Sequence, residues 1–313
     1  MNQSSKIYIA GHKGLVGSAI LRNLQKQGYS NLVYRTSKEL DLRDSSAVMD
    51  FFELEKPEYV FFAAGTVGGI MANKTYPADF IYNNISIIVN TIAAAYKNGV
   101  KKLLYLGSSC IYPKECPQPI KEEYLLTSTL EGTNKPYALA KIAGVELCHS
   151  YNKQYGTNYI CLMPTNMFGI NDNYDSNNSH LVAALIRKFH EAKIENKEYV
   201  ELWGTGTPRR EILCSEDLAA ACIYFMKTYS GNDIINIGKG VDYSIGEIAA
   251  IISKIVNYKG KIKYDSSKPD GTMKKQLDVS RATSLGWTSN SDLAEDLQKT
   301  YEDFVSNYKH YVS

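Results

Sequence analysis

Apolar and polar positions alternate along the first half of the chain in two rhythms. Short apolar runs at 6–10, 31–34, 59–64, 102–107 and 159–164 read as strands buried on both faces of a sheet. Between them, segments at 15–28, 45–55, 79–99 and 136–155 space their apolar residues three and four apart, as amphipathic helices do. Gly28 and Gly99 close two of these helices, and Pro57 stops a third. The alternation predicts an α/β fold, a doubly wound parallel sheet with helices on both faces. Beyond 165 the rhythm loosens. A polar loop at 171–179, a helix at 181–193, a Gly-rich stretch at 201–208 and a helix at 216–227 come first. A strand at 233–237, a helix at 245–256, a loop at 266–272 and a last amphipathic helix at 293–308 follow. The expected organisation is a dinucleotide-binding Rossmann domain at 1–168, to which a segment at about 214–238 returns, and a smaller C-terminal α/β substrate domain made by the rest of 169–313.

The first strand runs into Gly11-His12-Lys13-Gly14-Leu15-Val16-Gly17. Gly11 permits a tight turn, Gly14 lets the backbone approach a pyrophosphate, and Gly17 allows a helix to pack closely on the strand. The phosphates are then expected at the helix N-terminus. Such a glycine spacing is weak by itself, but here it opens the first strand–helix unit, the context a dinucleotide needs. Enzymes that use NAD usually carry an acid after the second strand, to hold the ribose 2′-hydroxyl. This chain has Tyr34-Arg35-Thr36-Ser37-Lys38 there, with no acid before Glu39. Arg35 and Lys13 suit a 2′-phosphate, so the expected cofactor is NADP, used as NADPH. The plainer alternative for Arg35 is a solvated surface charge. Asp41 and Leu42 are in reach of the adenine.

Tyr137 and Lys141 stand four apart in the helix at 136–155, on one face and one turn from each other. An ammonium beside a phenol lowers its pKa, which predicts Tyr137 as a general acid near neutral pH. Ser108 lies at the end of the fourth strand, where open α/β sheets bind ligands. If the backbone stays extended there, Ser108 and Cys110 point the same way. Ser108 then hydrogen-bonds a substrate carbonyl beside Tyr137. The competing readings are a helix-capping Ser108 and a Cys110 that is only a small buried side chain.

Composition narrows the class without changing this picture. With 35 basic and 33 acidic side chains the net charge is +2, so no nucleic-acid partner is expected. No apolar run is long enough for a bilayer. The chain enters its first strand directly from Met1–Lys6, without a charged-then-apolar leader. Cysteines at 110, 116, 148, 161, 214 and 222 show neither CxxC pairs nor zinc spacing. Free thiols, no metal and a cytoplasmic location are therefore expected.

These residues together resemble the GDP-L-fucose synthase family of the extended short-chain dehydrogenases, over nearly the whole chain. The shared motifs are Ile9-Ala10-Gly11-His12-Lys13-Gly14, Val67-Gly68-Gly69-Ile70, Thr75-Tyr76-Pro77-Ala78-Asp79-Phe80-Ile81 and Gly107-Ser108-Ser109-Cys110-Ile111-Tyr112-Pro113. They continue with Tyr137–Lys141, Met163-Pro164-Thr165-Asn166, Asn178-Ser179-His180, Trp203 to Glu211, and Ser267-Lys268-Pro269-Asp270-Gly271-Thr272. The resemblance implies epimerisation at C3 and C5 and NADPH-dependent reduction at C4 of a GDP-4-keto-6-deoxy-mannose-type sugar, giving GDP-L-fucose. It implies Ser108, Tyr137 and Lys141 as the reductase triad, with Cys110 and His180 as base and acid of epimerisation. Ala63, Lys141, Pro164, Asn166 and His180 join the Gly-rich turn, Arg35, Asp41 and Leu42 around the cofactor. Lys188, Trp203, Arg210, Asp270 and Lys275 match positions that hold the GDP-sugar, and a homodimer is implied. The chain departs from the family's usual pattern with Lys13 for Arg, Ser37 for Arg, Thr66 for Lys, Gly65 for Ala and Cys214 for His. Relatives that reduce GDP-4-keto-6-deoxy-heptoses or GDP-4-keto-3,6-dideoxymannose share the scaffold and make the alternative reading. A nucleotide-sensing protein without chemistry would not need the Ser108, Tyr137 and Lys141 set, and a UDP-sugar 4-epimerase would show an acid after the second strand.

Overall fold

The computed structural model describes residues 1–176, 178–268 and 270–312. Its elements run β1 Ile7–Ala10, α1 Leu15–Lys26, β2 Leu32–Val33, α2 Ser45–Glu55, β3 Tyr59–Phe62, α3 Ile70–Thr75, α4 Pro77–Lys97, β4 Lys102–Leu106, α5 Lys135–Tyr155 and β5 Tyr159–Pro164. The second half holds β6 Asn166–Phe168, α6 Leu181–Ile194, β7 Tyr199–Trp203, β8 Arg209–Cys214, α7 Ser215–Thr228, β9 Ile235–Ile237 and β10 Asp242–Ser244. After these come α8 Ile245–Val256, β11 Lys261–Asp265, β12 Lys274–Lys275, α9 Ser280–Ser284, α10 Leu293–Ser306 and α11 Tyr308–Val312.

The expected parallel sheet is present. Six strands lie in the order β2-β1-β3-β4-β5-β9, each pair parallel. Alternate residues of these strands feed two cores. Tyr8, Val60, Phe62, Leu103 and Tyr105 pack toward α2, α4 and α5, while Ile7, Ile9, Phe61, Leu104 and Leu106 pack toward α1 and α7. Such continuous burial explains why these strands read as unbroken apolar runs. Lys102 is the exception at the start of β4. Its buried ammonium donates to the Phe225, Met226 and Tyr229 carbonyls and closes the C-terminal end of α7. A third core joins α6, α8 and α10 to Ile212, Cys214, Val200 and Leu202. Beside it, β8 pairs with β10, β12 and β6, and β7 pairs with β11.

Local signals set the helix ends. Asp44 accepts from the Ser46 and Ala47 amides at the start of α2. Ser244 and Glu247 form a capping box on α8. The sequence reading passes over α3, β6, β7, β8, β10, β11, β12 and α9. Strands β7 and β11 carry charged, solvent-facing residues and are edge-like, and β6, β10 and β12 are two or three residues long. Strand β8 opens with Arg209, Arg210 and Glu211, which carry no apolar pattern. Among the described residues no helix is long and apolar enough to cross a membrane.

Candidate active site

The Gly-rich turn forms a cradle that excludes a side chain at Gly11 and Gly17. Gly11 has φ +87°, and a Cβ there would come within 2.8 Å of the Ala63 carbonyl and the Ala64 amide. A Cβ on Gly17 would lie 2.1 Å from the Gly11 carbonyl. At Gly14 a Cβ would make ordinary van der Waals contact, with the Gly11 carbonyl oxygen nearest at 3.4 Å. Helix α1 begins at this residue with no side-chain cap and no acid in its first turn. The uncapped amide groups of this first helical turn fit a dinucleotide pyrophosphate. Leu15 and Val16 are the first helical residues, and Ala63 follows β3 directly below the turn.

At the neighbouring strand end, Arg35 pairs with Glu55 at 2.6 Å and lies 5.6 Å from the Phe51 ring centroid. It is held, not loose, at the edge of the cradle. Asp41 is gripped by Arg43 at 2.7 Å, so its carboxylate is already engaged, and Leu42 is buried.

Strand β4 ends in the catalytic candidates. Residues 109–111 turn into a single 3-10 coil, so the extended backbone expected between Ser108 and Cys110 ends at Ser108. The Ser108 hydroxyl accepts from the Cys110 amide at 3.3 Å, so it caps this turn. The side chains remain neighbours, and the Ser108 hydroxyl favours the Cys110 thiolate. Lys141 is buried on α5 and donates from Nζ to the Leu106 carbonyl at 2.8 Å. Its ammonium stands 5.7 Å from the Tyr137 ring centroid and 5.1 Å from that of Tyr105.

Electrostatics correct one expectation. Burial raises the Tyr137 phenol above its ordinary value, and no lowering by Lys141 offsets it. Lys141 is itself desolvated, which brings its ammonium down to about 8. Tyr137 therefore keeps its proton at neutral pH, the state a proton donor needs. Burial also raises the Cys110 thiol, opposed first by the Lys275 ammonium and then by the Ser108 hydrogen bond. His180 opens to solvent at the start of α6, yet the protein packed around its imidazole holds it below the usual histidine range.

Other predicted residues converge from the C-terminal half. Lys275 of β12 sits in register beside Arg210 of β8. Arg210 donates to the Thr272 carbonyl at 2.5 Å, and burial lowers its guanidinium. Asp270 accepts from the Thr205 amide at 2.9 Å and hydroxyl at 2.7 Å, against Gly204 at φ +79°. Pro269 of the same motif lies outside the described residues. Trp203 is 69 % exposed, so it is no core residue, and the Lys268 ammonium stands over its ring at 5.8 Å from the centroid. Lys188 donates to the Glu201 carbonyl of the same strand. Pro164 and Asn166 flank the passage from β5 to β6, with Asn166 donating to the Glu211 carbonyl at 2.9 Å.

Three positions escaped the sequence reading. Asn84 is buried on α4 and clamps Thr66 through its amide at 3.0 Å and its carbonyl at 2.9 Å. This holds Gly65 against the Lys141 ammonium, where a Cβ would be 3.8 Å away. A lone Asn in the apolar stripe Phe80, Asn84, Ile88 was the available signal. Asn134, three residues before Tyr137, has a buried carbonyl oxygen without a partner among the described residues. Glu211 is fully buried and accepts from the Gly240 and Leu277 amides, each at 2.7 Å, tying the strand of Lys275 to that of Arg210.

The family model of the NAD dependent epimerase/dehydratase family matches residues 7–238. GDP-L-fucose synthase from Escherichia coli (strain K12) is 52 % identical over 311 residues, 96 % of this chain and 97 % of that protein. The chain belongs to the GDP-L-fucose synthase family. A plant member, GDP-L-fucose synthase 1 from Arabidopsis thaliana, is likewise 52 % identical over 98 % of this chain and 95 % of its own. Among solved structures of the same scaffold, a GDP-mannoheptose C4 reductase from Campylobacter jejuni with NADP bound superposes with a TM-score of 0.90. It is 43 % identical and covers 97 % of this chain and 99 % of that one.

Proposed function

We propose that this protein converts a GDP-4-keto-6-deoxy-mannose-type sugar to GDP-L-fucose, by epimerisation at C3 and C5 followed by NADPH-dependent reduction at C4. The observation that carries the proposal is the convergence of Ser108, Cys110, Tyr137 and Lys141 at the end of β4 with Lys275 and Arg210. A pyrophosphate cradle opens the first βα unit of the same sheet. Relatives named GDP-L-fucose synthase at 52 % identity support the fucose product over the heptose reduction named for a solved relative at 43 %.

The C4 ketone makes the C3 and C5 hydrogens acidic. Cys110, as thiolate, takes such a proton, and the electron pair moves onto the ketone oxygen as an enolate. His180 returns a proton to the carbon from the other face, which inverts it. Lys275 is the cation best placed to favour the thiolate. Bound NADPH supplies the hydride for C4. Tyr137 gives its phenolic proton to the C4 oxygen, and Ser108 hydrogen-bonds that oxygen. Lys141, 5.7 Å from the Tyr137 ring centroid, is the cation that faces the phenolate left behind. Lys188, Trp203, Arg210 and Asp270 hold the GDP end, Arg210 through its charge and Trp203 through its exposed ring.

Residues 1–168 with about 214–238 are proposed as the nucleotide domain, and the rest as the substrate domain. A homodimer is proposed on α4 and α5, whose surface exposes Tyr82, Val89, Tyr96, Leu139 and Tyr155. Analytical ultracentrifugation tests it, and a monomer at micromolar concentration rejects it. A cytoplasmic site of action completes the reading. The function is tested by incubating the protein with GDP-4-keto-6-deoxy-mannose and NADPH. GDP-L-fucose is the expected product, and a product without inversion at C3 and C5 rejects the epimerase half.

A further inference from the structure

The Gly-rich turn makes one bond that no part of the proposed chemistry uses. The Lys13 carbonyl accepts a hydrogen bond from the side-chain amide of Asn171 at 2.6 Å, across 158 residues of sequence. Asn171 lies in the loop after β6, with its backbone at φ +67°, a left-handed conformation that asparagine tolerates and most side chains do not. Its own backbone amide donates to Asp303 Oδ2 on α10 at 3.1 Å. The same carboxylate oxygen accepts the Tyr311 hydroxyl at 2.8 Å. A continuous line of hydrogen bonds thus runs from the C-terminal helices through Asn171 to the turn that cradles the pyrophosphate.

We propose that Asn171 is a positioning residue for the cofactor turn, a latch that couples the C-terminal helix α10 to NADPH affinity. Within the turn the Gly14 amide satisfies the Gly11 carbonyl at 2.9 Å, which leaves the Lys13 carbonyl to find a partner from elsewhere. The Lys13 carbonyl finds one on an element contributed by the far half of the chain. With the Gly14 amide held on the Gly11 carbonyl at one side and the Lys13 carbonyl held by Asn171 at the other, the peptide plane between Lys13 and Gly14 is fixed, and with it the entry of the chain into the first turn of α1, whose amides face the phosphates. The inference rests on the reading of this turn as the NADPH site.

The test is NADPH binding, followed by fluorescence, together with steady-state kinetics on the full chain. Asn171→Gly removes the amide donor and keeps the left-handed backbone, so folding is not at stake. It raises the Kd and KM for NADPH about three- to tenfold, the range of one hydrogen bond, with kcat at saturating NADPH within about twofold of wild type. Asp303→Ala raises the Kd in the same direction although it lies on the far helix, and the double variant is no weaker than Asn171→Gly alone. An unchanged Kd in Asn171→Gly, an effect that falls on kcat instead, or strictly additive effects of the two variants each overturn the latch. A wild type that does not bind NADPH overturns the functional reading and the latch together, which a normal wild type with a normal Asn171→Gly does not.

Discussion

The Lys141 ammonium is spent on the Leu106 carbonyl, 2.8 Å away at the end of β4, before it reaches toward Tyr137. This bond anchors α5 to the strand that presents Ser108, so the spacing between phenol, ammonium and hydroxyl is set by the backbone of β4. It also fixes a cation in a place where burial disfavours charge.

The first prediction follows from that cost. Lys141 holds its charge below about 8 and loses it above, since burial brings its ammonium down from 10.5. If the charged form supports proton donation, kcat/KM for reduction falls as pH rises through about 8. A flat profile between pH 7 and 9.5 removes the Lys141 charge from the mechanism.

Tyr137→Phe keeps the ring that packs near Lys141 and removes only the proton. NADPH oxidation should drop on the order of a hundredfold to ten-thousandfold, while NADPH binding stays within about twofold. Near-normal turnover would exclude Tyr137 as the acid.

For Cys110 the readout is solvent deuterium entering C3 and C5 in heavy water without NADPH. Because burial raises the thiol, exchange should quicken as pH rises toward 9 and beyond. Cys110→Ser should suppress exchange, and Lys275→Met should slow it by removing the main opposing charge. Exchange by Cys110→Ser at the wild-type rate would leave Cys110 a packing residue.

Arg35 pairs with Glu55 yet lies at the rim of the cradle. Arg35→Ala should lower the ratio of kcat/KM for NADPH over NADH about tenfold or more, the worth of a charged hydrogen bond to phosphate. An unchanged ratio would make Arg35 a structural ion pair.

Asp172 supplies a stability test. It is buried, one carboxylate oxygen has no partner among the described residues, and burial lifts it from 3.8 to about 7. Tyr174 and Tyr311 are its polar neighbours, and both also feel the Asp303 carboxylate. The folded protein keeps this proton up to about pH 7 while the unfolded chain gives it up near 4, so stability falls as pH rises across that window. The loss is at most on the order of 4 kcal/mol. Asp172→Asn should be more stable than wild type at pH 8 and similar at pH 4 in denaturant melts. Equal pH slopes for both would refute this.

The sheet and its helices were legible because β1, β3, β4 and β5 are buried on both faces, which writes apolar runs into the sequence. Helices α2 and α8 fall at their expected limits, since Asp44 and Ser244 are strong start signals. Strand β11, Lys-Ile-Lys-Tyr-Asp, faces water and has no apolar run, and β7 buries only Val200 and Leu202 in a five-residue alternation too short to stand out. Single buried polar residues were as hard to see. Asn84 and Glu211 act through backbone partners far away in sequence, and no spacing rule encodes such pairs. The phenol of Tyr137 shows the same limit: four-residue spacing places Lys141 nearby, while the depth of burial that decides the sign of the shift is a property of the folded whole.

The tie between Lys102 and the end of α7 carries a consequence for biosynthesis. A nascent chain that has emerged through β5 holds five of the six parallel strands but neither α7 nor β9, which cover Ile9, Phe61 and Leu104 and complete the sheet's edge. Until α7 and Tyr229 have been translated, only α1 covers that apolar face and the Lys102 ammonium lacks the carbonyls it meets in the folded protein. The nucleotide fold therefore closes late in synthesis, and a fragment cut after β6 is expected to bind chaperones rather than NADPH.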